Sequence, residues 1–107
     1  MLPQAKRLTR DEFSRFFASG KRVHTPAVQF VYTPSTKIKV AVVVGKKVYK
    51  NAVDRNHLRR QLYHIMRDWL AESGAQGVFI LIAKPPIREY SYRDLESCVS
   101  ETVSTFR

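Results

Sequence analysis

At 107 residues, with nineteen Lys and Arg against nine Asp and Glu, the chain carries a formal charge of +10. It has room for one domain and is too short for a doubly wound or barrel enzyme. Its hydrophobic share of 44%, with 11% aromatic, offsets ordering entropy and argues against a disordered chain, and a single cysteine, Cys98, excludes both an internal disulfide and a zinc site built on several thiolates.

Thr9 and Glu12 have the spacing of a capping box. Phe13, Phe16 and Phe17 then mark one face of a short helix, which Gly20 ends as a C′ residue. Residues 21–26 can add an edge strand before Pro26. Residues 27–33 read as a strand with Val28, Phe30 and Tyr32 on one face and Gln29, Val31 and Thr33 on the other. Pro34-Ser35-Thr36 makes a turn. Residues 38–44 form a further strand, continuously apolar from Val40, a pattern that predicts burial on both faces.

Asn51 and Asp54 repeat the cap pattern and open a long helix that runs to about Glu72, where Ser73-Gly74 stops it. Residues 78–83 are strand length, Pro85-Pro86 breaks the chain, and Ser91 with Asp94 caps a last helix. Leu95, Cys98, Val99, Thr102, Val103 and Phe106 form the inner face of that helix, with Cys98 a small hydrophobe there. The order predicts an α+β fold, a single-layer α-β sandwich with the order α-β-β-β-α-β-α and a mixed sheet. No apolar run reaches the ~18 residues of a membrane span. Lys6 and Arg7 precede no signal-peptide core, so a cytoplasmic chain is expected.

The charge is unevenly placed. Residues 1–67 hold fifteen Lys and Arg against three acids, while residues 68–107 hold four against six. That asymmetry points to a polyanion, nucleic acid before an acidic membrane. At 100° per residue, Leu58, Leu62, Ile65 and Trp69 of the long helix form a stripe toward the sheet. Asn56, Arg60, Tyr63 and Arg67 lie on the far side with His57 and His64 beside them, and Arg55 and Arg59 share one flank. No carboxylate stands between Arg55 and Arg67 to pair with these cations. Either the face is simply solvated or it binds phosphate, for which the guanidinium fork is suited.

His57 and His64 are two turns apart, about 10 Å, too far to share a metal. His24 is given no role. Phe13, Phe17, Phe30, Tyr32 and Tyr49 are either core or the lining of a groove on which bases stack, with Lys37, Lys39, Lys46 and Lys47 near it to hold a single-stranded backbone. Val44-Gly45-Lys46-Lys47 lacks the first glycine and the hydroxyl residue of a P-loop, no Gly-x-Ser-x-Gly elbow occurs, and no carboxylates cluster by spacing. No catalytic residue is assigned.

The run Lys46-Lys47 followed by Asn51-Ala52-Val53-Asp54-Arg55-Asn56-His57-Leu58-Arg59-Arg60 closely resembles the bacterial ribonuclease P protein component, in which a Lys-Lys pair precedes a helix opening Arg-Asn-Arg. Glu12-Phe13, Phe17 and Gly20-Lys21-Arg22-Val23 look like that family's first helix and its exit, and Ala83-Lys84-Pro85 looks like its Arg-Pro after the last strand. His57 stands where the family usually has its second Arg, which makes that contact weaker or pH-dependent.

The resemblance implies a four-stranded mixed sheet with a left-handed β-α-β crossover, similar to the second domain of ribosomal protein S5. It implies a 1:1 complex with a catalytic RNA that carries the active site and its Mg2+, with no cofactor in the protein and no membrane. The activity implied is removal of the 5′ leader of precursor tRNA. Arg55, Asn56, His57, Arg59, Arg60 and Arg67 would contact the catalytic RNA, and Phe13, Phe17, Val28, Phe30, Lys46 and Lys47 would line or border a groove for the leader. The competing readings are a structural RNA-binding protein of ribosomal type and a peripheral membrane or DNA-binding module.

Overall fold

The computed structural model describes residues 8–105. The first helix, α1 (Arg10–Ser19), begins where the sequence places it. Thr9 accepts from the Glu12 N–H, and the Glu12 carboxylate accepts from the Thr9 N–H, so two donors that the first turn leaves free are satisfied reciprocally. The strands β1 (Lys21–His24), β2 (Val28–Thr33) and β3 (Ile38–Val43) follow, then α2 (Ala52–Ser73), β4 (Gly77–Ala83), a 3-10 turn at Pro85–Glu89 and α3 (Tyr92–Ser104). Ser91 and Asp94 close the capping box of α3 in the same way as Thr9 and Glu12. This is the expected element order. Phe106, expected on the inner face of α3, lies outside the described residues.

The sheet order is β1-β2-β4-β3. β1 with β2 and β2 with β4 are antiparallel, and β3 with β4 is parallel, joined through α2. The sheet is therefore mixed and four-stranded. α2 and α3 share one face, and α1 lies across β2 and β4 on the other. The main core forms on the α2/α3 side, where Phe30, Leu81, Leu62, Met66, Val99 and Val103 are all 1% exposed or less.

Four local expectations need correction. Asn51 occupies the N-cap of α2 but makes no capping hydrogen bond; its amide instead faces the Asp54 carboxylate at 3.5 Å. Tyr63, expected on the outer side of α2, is buried, and its hydroxyl accepts the Val42 N–H at 3.3 Å. The apolar stripe is wider than Leu58, Leu62, Ile65 and Trp69 because the helix also covers the β3 edge, adding Tyr63, Met66 and Leu70. Finally, β3 is an edge strand and is not buried on both faces: Val42 is in the core, while Val43 is 37% exposed.

The two glycines that end helices do so for different reasons. Gly74 adopts the left-handed conformation at φ 68° that closes a helix C-terminus, its N–H bonding the Leu70 carbonyl. Gly20 is extended, at φ −76°. Its lack of a side chain is needed for space: a Cβ there would stand 2.5 Å from Val31 Cγ1 and 3.0 Å from both the Phe16 carbonyl and Thr33 Oγ1.

Candidate nucleic-acid interface

Strand alternation gives the sheet two unlike faces. Val28, Phe30 and Tyr32 of β2 face α2 and α3 together with Phe79, Leu81 and Ala83 of β4. The other face is built in cross-strand rows: Thr33–Val78–Lys39, then Val31–Ile80–Ala41, then Gln29–Ile82–Val43. From β1, Arg22 extends the second row and His24 the third.

α1 crosses this face. At one end the Glu12 carboxylate meets the Lys39 ammonium at 2.7 Å. At the other, Gly20 rests against Val31 and Thr33. The third row remains open beside the helix, with Gln29 and Ile82 half-buried and Val43 exposed. The result is a shallow cleft with an apolar floor.

The wall of the cleft is aromatic. Phe13 and Phe17 stack one turn apart at 5.7 Å between ring centroids, and both are half-buried. The Arg22 guanidinium sits 4.2 Å above the Phe17 ring and donates to the Phe17 carbonyl, which ties the end of α1 to β1. Lys84 donates to the Thr25 carbonyl at 2.8 Å, with His24 Nδ1 at 3.5 Å. Lys46 and Lys47 are exposed on the turn just beyond β3. The Lys39 ammonium and the Thr9 N–H hold the Glu12 carboxyl well below the usual range, at about 2.

The basic residues of α2 divide between two directions. Arg55 is half-buried and donates to the carbonyls of Tyr49 and Lys50, at 3.0 and 2.6 Å, so it clasps the turn carrying Lys46 and Lys47. Arg59 donates to the Asn56 side-chain oxygen. His57, Arg60, His64 and Arg67 instead face the junction of α2 with α3, where with Gln61, Tyr63 and Tyr92 they line a cavity of about 360 Å³. Burial there raises the Tyr92 hydroxyl pKa, with Glu96 adding to the shift. Among the described residues, Arg60 and His57 have no hydrogen-bonding or acidic partner, and no three His, Cys, Asp or Glu side chains come together to hold a metal.

The candidate site residues therefore fall into three groups. Phe13 and Phe17 lie on α1, which crosses the open face of the sheet, and Lys46 and Lys47 on the turn that follows β3. Arg55, Asn56 and Arg59 sit at the start of α2 beside the turn from β3, and His57, Arg60 and Arg67 lie on its outer side. Val28 and Phe30 do not line the cleft: they are 0% and 1% exposed, on the opposite face of β2. The open floor is provided by Ile82 and Val43, with Gln29 and Arg22 at its side, while Val31 on the same face lies buried under α1. The alternation that separates Phe30 from Val31 is visible in the sequence. The side taken by α1 is not, because an aromatic such as Phe30 can serve either in a core or in a stacking groove.

The profile of the ribonuclease P family matches residues 2–107. The ribonuclease P protein component of Microcystis aeruginosa is 32% identical over 98 residues, a match covering 85% of this chain and 82% of that one. The ribonuclease P protein of Staphylococcus aureus has the same fold, with a TM-score of 0.77 at 17% identity over 97% of both chains. That of Thermotoga maritima gives 0.70 at 20% identity, covering 85% of this chain and 88% of the other.

Proposed function

The chain belongs to the ribonuclease P protein family, and on that premise we propose that it joins a catalytic RNA 1:1 and presents to it the 5′ leader of precursor tRNA, in the cytoplasm. The RNA supplies the active site and its Mg2+; the protein supplies fixed positive charge and a path for single-stranded substrate. The outer side of α2 and the signature residues Arg55, Asn56 and Arg59 hold the catalytic RNA by its phosphates, reading shape more than sequence. The leader lies in the cleft, its bases against Phe13 and Phe17 and its phosphates near Arg22, Lys46 and Lys47. Cations held in place by the fold substitute for part of the magnesium otherwise needed to bring two polyanions together.

The observation that carries this reading is the presence of two distinct basic surfaces on one small chain. One is an aromatic-walled cleft and the other an exposed helix face on which Arg60 has no acidic partner among the described residues, while Arg67 meets Asp68 at 3.5 Å. A binder of a single RNA duplex has no use for the cleft.

Reconstitution tests the proposal. Mixed with a bacterial catalytic RNA and precursor tRNA at low Mg2+, the protein is expected to stimulate release of the 5′ leader, and precursor affinity is expected to grow with leader length until the cleft is filled. Arg60→Ala with Arg67→Ala should flatten the salt dependence of RNA binding by roughly one unit per lost phosphate contact. Salt-sensitive RNA binding without stimulation or leader dependence would replace this reading with a structural RNA-binding role.

A further inference from the structure

The cavity between α2 and α3 lies away from the cleft and is more elaborate than phosphate binding requires. Arginines on an open helix face hold a phosphate backbone without any concavity. Here Tyr92, the first residue of α3, stands at the rim and remains 36% exposed, with the His64 ring 6.4 Å away and tilted by 47°. The two rings form an open wedge. At about 360 Å³ the space falls at the small end of the range for small-ligand sites, roughly 300–1,000 Å³, and suits one nucleotide better than a duplex.

The polar groups around the wedge are arranged in advance. Arginine can only donate, so the 2.7 Å contact from Arg67 to His64 Nδ1 puts the imidazole proton on Nε2, which faces the Asp68 carboxylate at 3.2 Å. The same carboxylate lies 3.5 Å from the Arg67 guanidinium, so the three groups fix one another and Arg67 keeps its remaining donors for a ligand. Arg60 is left without a partner among the described residues, and Gln61 adds an amide that can both donate and accept.

We propose that this notch holds a single unstacked nucleotide of the RNA partner, with its base on Tyr92 and its phosphate between Arg60 and Arg67. Gln61 then reaches the edge of the base, and His57 closes the side toward the start of α2. The proposal rests on the RNA-binding reading above and adds a second place, apart from the cleft, where the protein takes a nucleotide out of a stack.

The test is a titration of the isotopically labelled full chain with each of the four nucleoside 5′-monophosphates, and separately with inorganic phosphate, at fixed ionic strength and followed by NMR. The ring signals of Tyr92 and His64 should shift saturably with the nucleotides, at concentrations at least about tenfold below those needed with phosphate. Tyr92→Ala should weaken nucleotide binding about tenfold, the loss expected for one stacked base. Tyr92→Phe should preserve it, and Arg60→Ala should weaken nucleotides and phosphate alike. Equal response to phosphate and nucleotides, shifts confined to Phe13 and Phe17, or an unaffected Tyr92→Ala protein would each overturn the proposal. Stimulation of leader release is measured separately, so the notch can fail while the subunit role stands, and the reverse.

Discussion

Gly20→Ala tests how tightly α1 is set against the sheet. The backbone at this position, φ −76° and ψ 159°, is open to alanine, and by chain entropy alone the change should stabilise the protein by about 0.4–1 kcal/mol. The added Cβ would nevertheless come within 2.5 Å of Val31 Cγ1, a side chain only 2% exposed, and within 3.0 Å of the Phe16 carbonyl. Neither neighbour can swing clear: one is a buried β-branched residue and the other is backbone. Overpacking of this kind costs about 1–3 kcal/mol, so the net expectation is a loss of about 1–2 kcal/mol. For a chain of this size that lowers the melting temperature by roughly 4–15 °C. Urea and thermal unfolding measure it, and a double-mutant cycle assigns the cause. In a Val31→Ala background the worst contact is gone, so the added cost of Gly20→Ala should shrink by more than half. If Gly20→Ala is neutral, or if the two costs simply add, the close approach of α1 to β2 is not what requires glycine here. Because α1 is one wall of the cleft, the same variant should also lose leader-dependent affinity in the reconstituted system.

Tyr63→Phe removes the acceptor for the Val42 N–H and leaves a buried donor unmet, so a loss of about 1–2 kcal/mol in urea unfolding is expected; an unchanged midpoint would mean that the hydroxyl is dispensable. Glu12 has its folded pKa held at about 2, below the ordinary 4.5, so its contribution to stability is complete above about pH 4.5 and fades as the pH falls toward 2. The difference in unfolding midpoint between the natural protein and Glu12→Gln should therefore shrink across that window, and a difference constant with pH would sink the ion-pair account. Phe17→Ala should weaken leader-dependent precursor binding by about 1–3 kcal/mol if the ring stacks on a base. A change in thermal stability alone would make Phe17 a packing residue.

The parts of this fold legible in the sequence are those decided by neighbours in the chain. Thr9 with Glu12 and Ser91 with Asp94 are capping boxes whose partners lie three residues apart, and both form as read. Asn51 with Asp54 carries a similar signal, yet its cap bond does not form, since here the amide turns to the carboxylate. The readings that went astray depended on which element covers which face. Phe30 and Val31 alternate correctly in the sequence, but only the packing of α1 against Val31 shows which of them lies on the face that carries the cleft. Tyr63 falls outside the narrow apolar stripe by helical angle, and the covered edge of β3 draws it inside. The basic run 55–67 was readable as charge. Its division into a loop clasp at Arg55 and an outer notch at Arg60 and Arg67 required the position of α3.

The strand order has a consequence for the behaviour of the protein before it meets RNA. A four-stranded open sheet has two edges, and an exposed edge is a template on which a second chain can add a strand and begin to aggregate. At β3, the Tyr63 hydroxyl occupies the outward Val42 N–H, so the helix that crosses over the sheet takes one donor away from that template. At β1 the edge is only four residues long, and two of them, Lys21 and Arg22, are positively charged. Two copies approaching along that edge would bring like charges together. The positive charge suited to nucleic acid thus also serves, while the chain is alone, to keep its open edge from joining another.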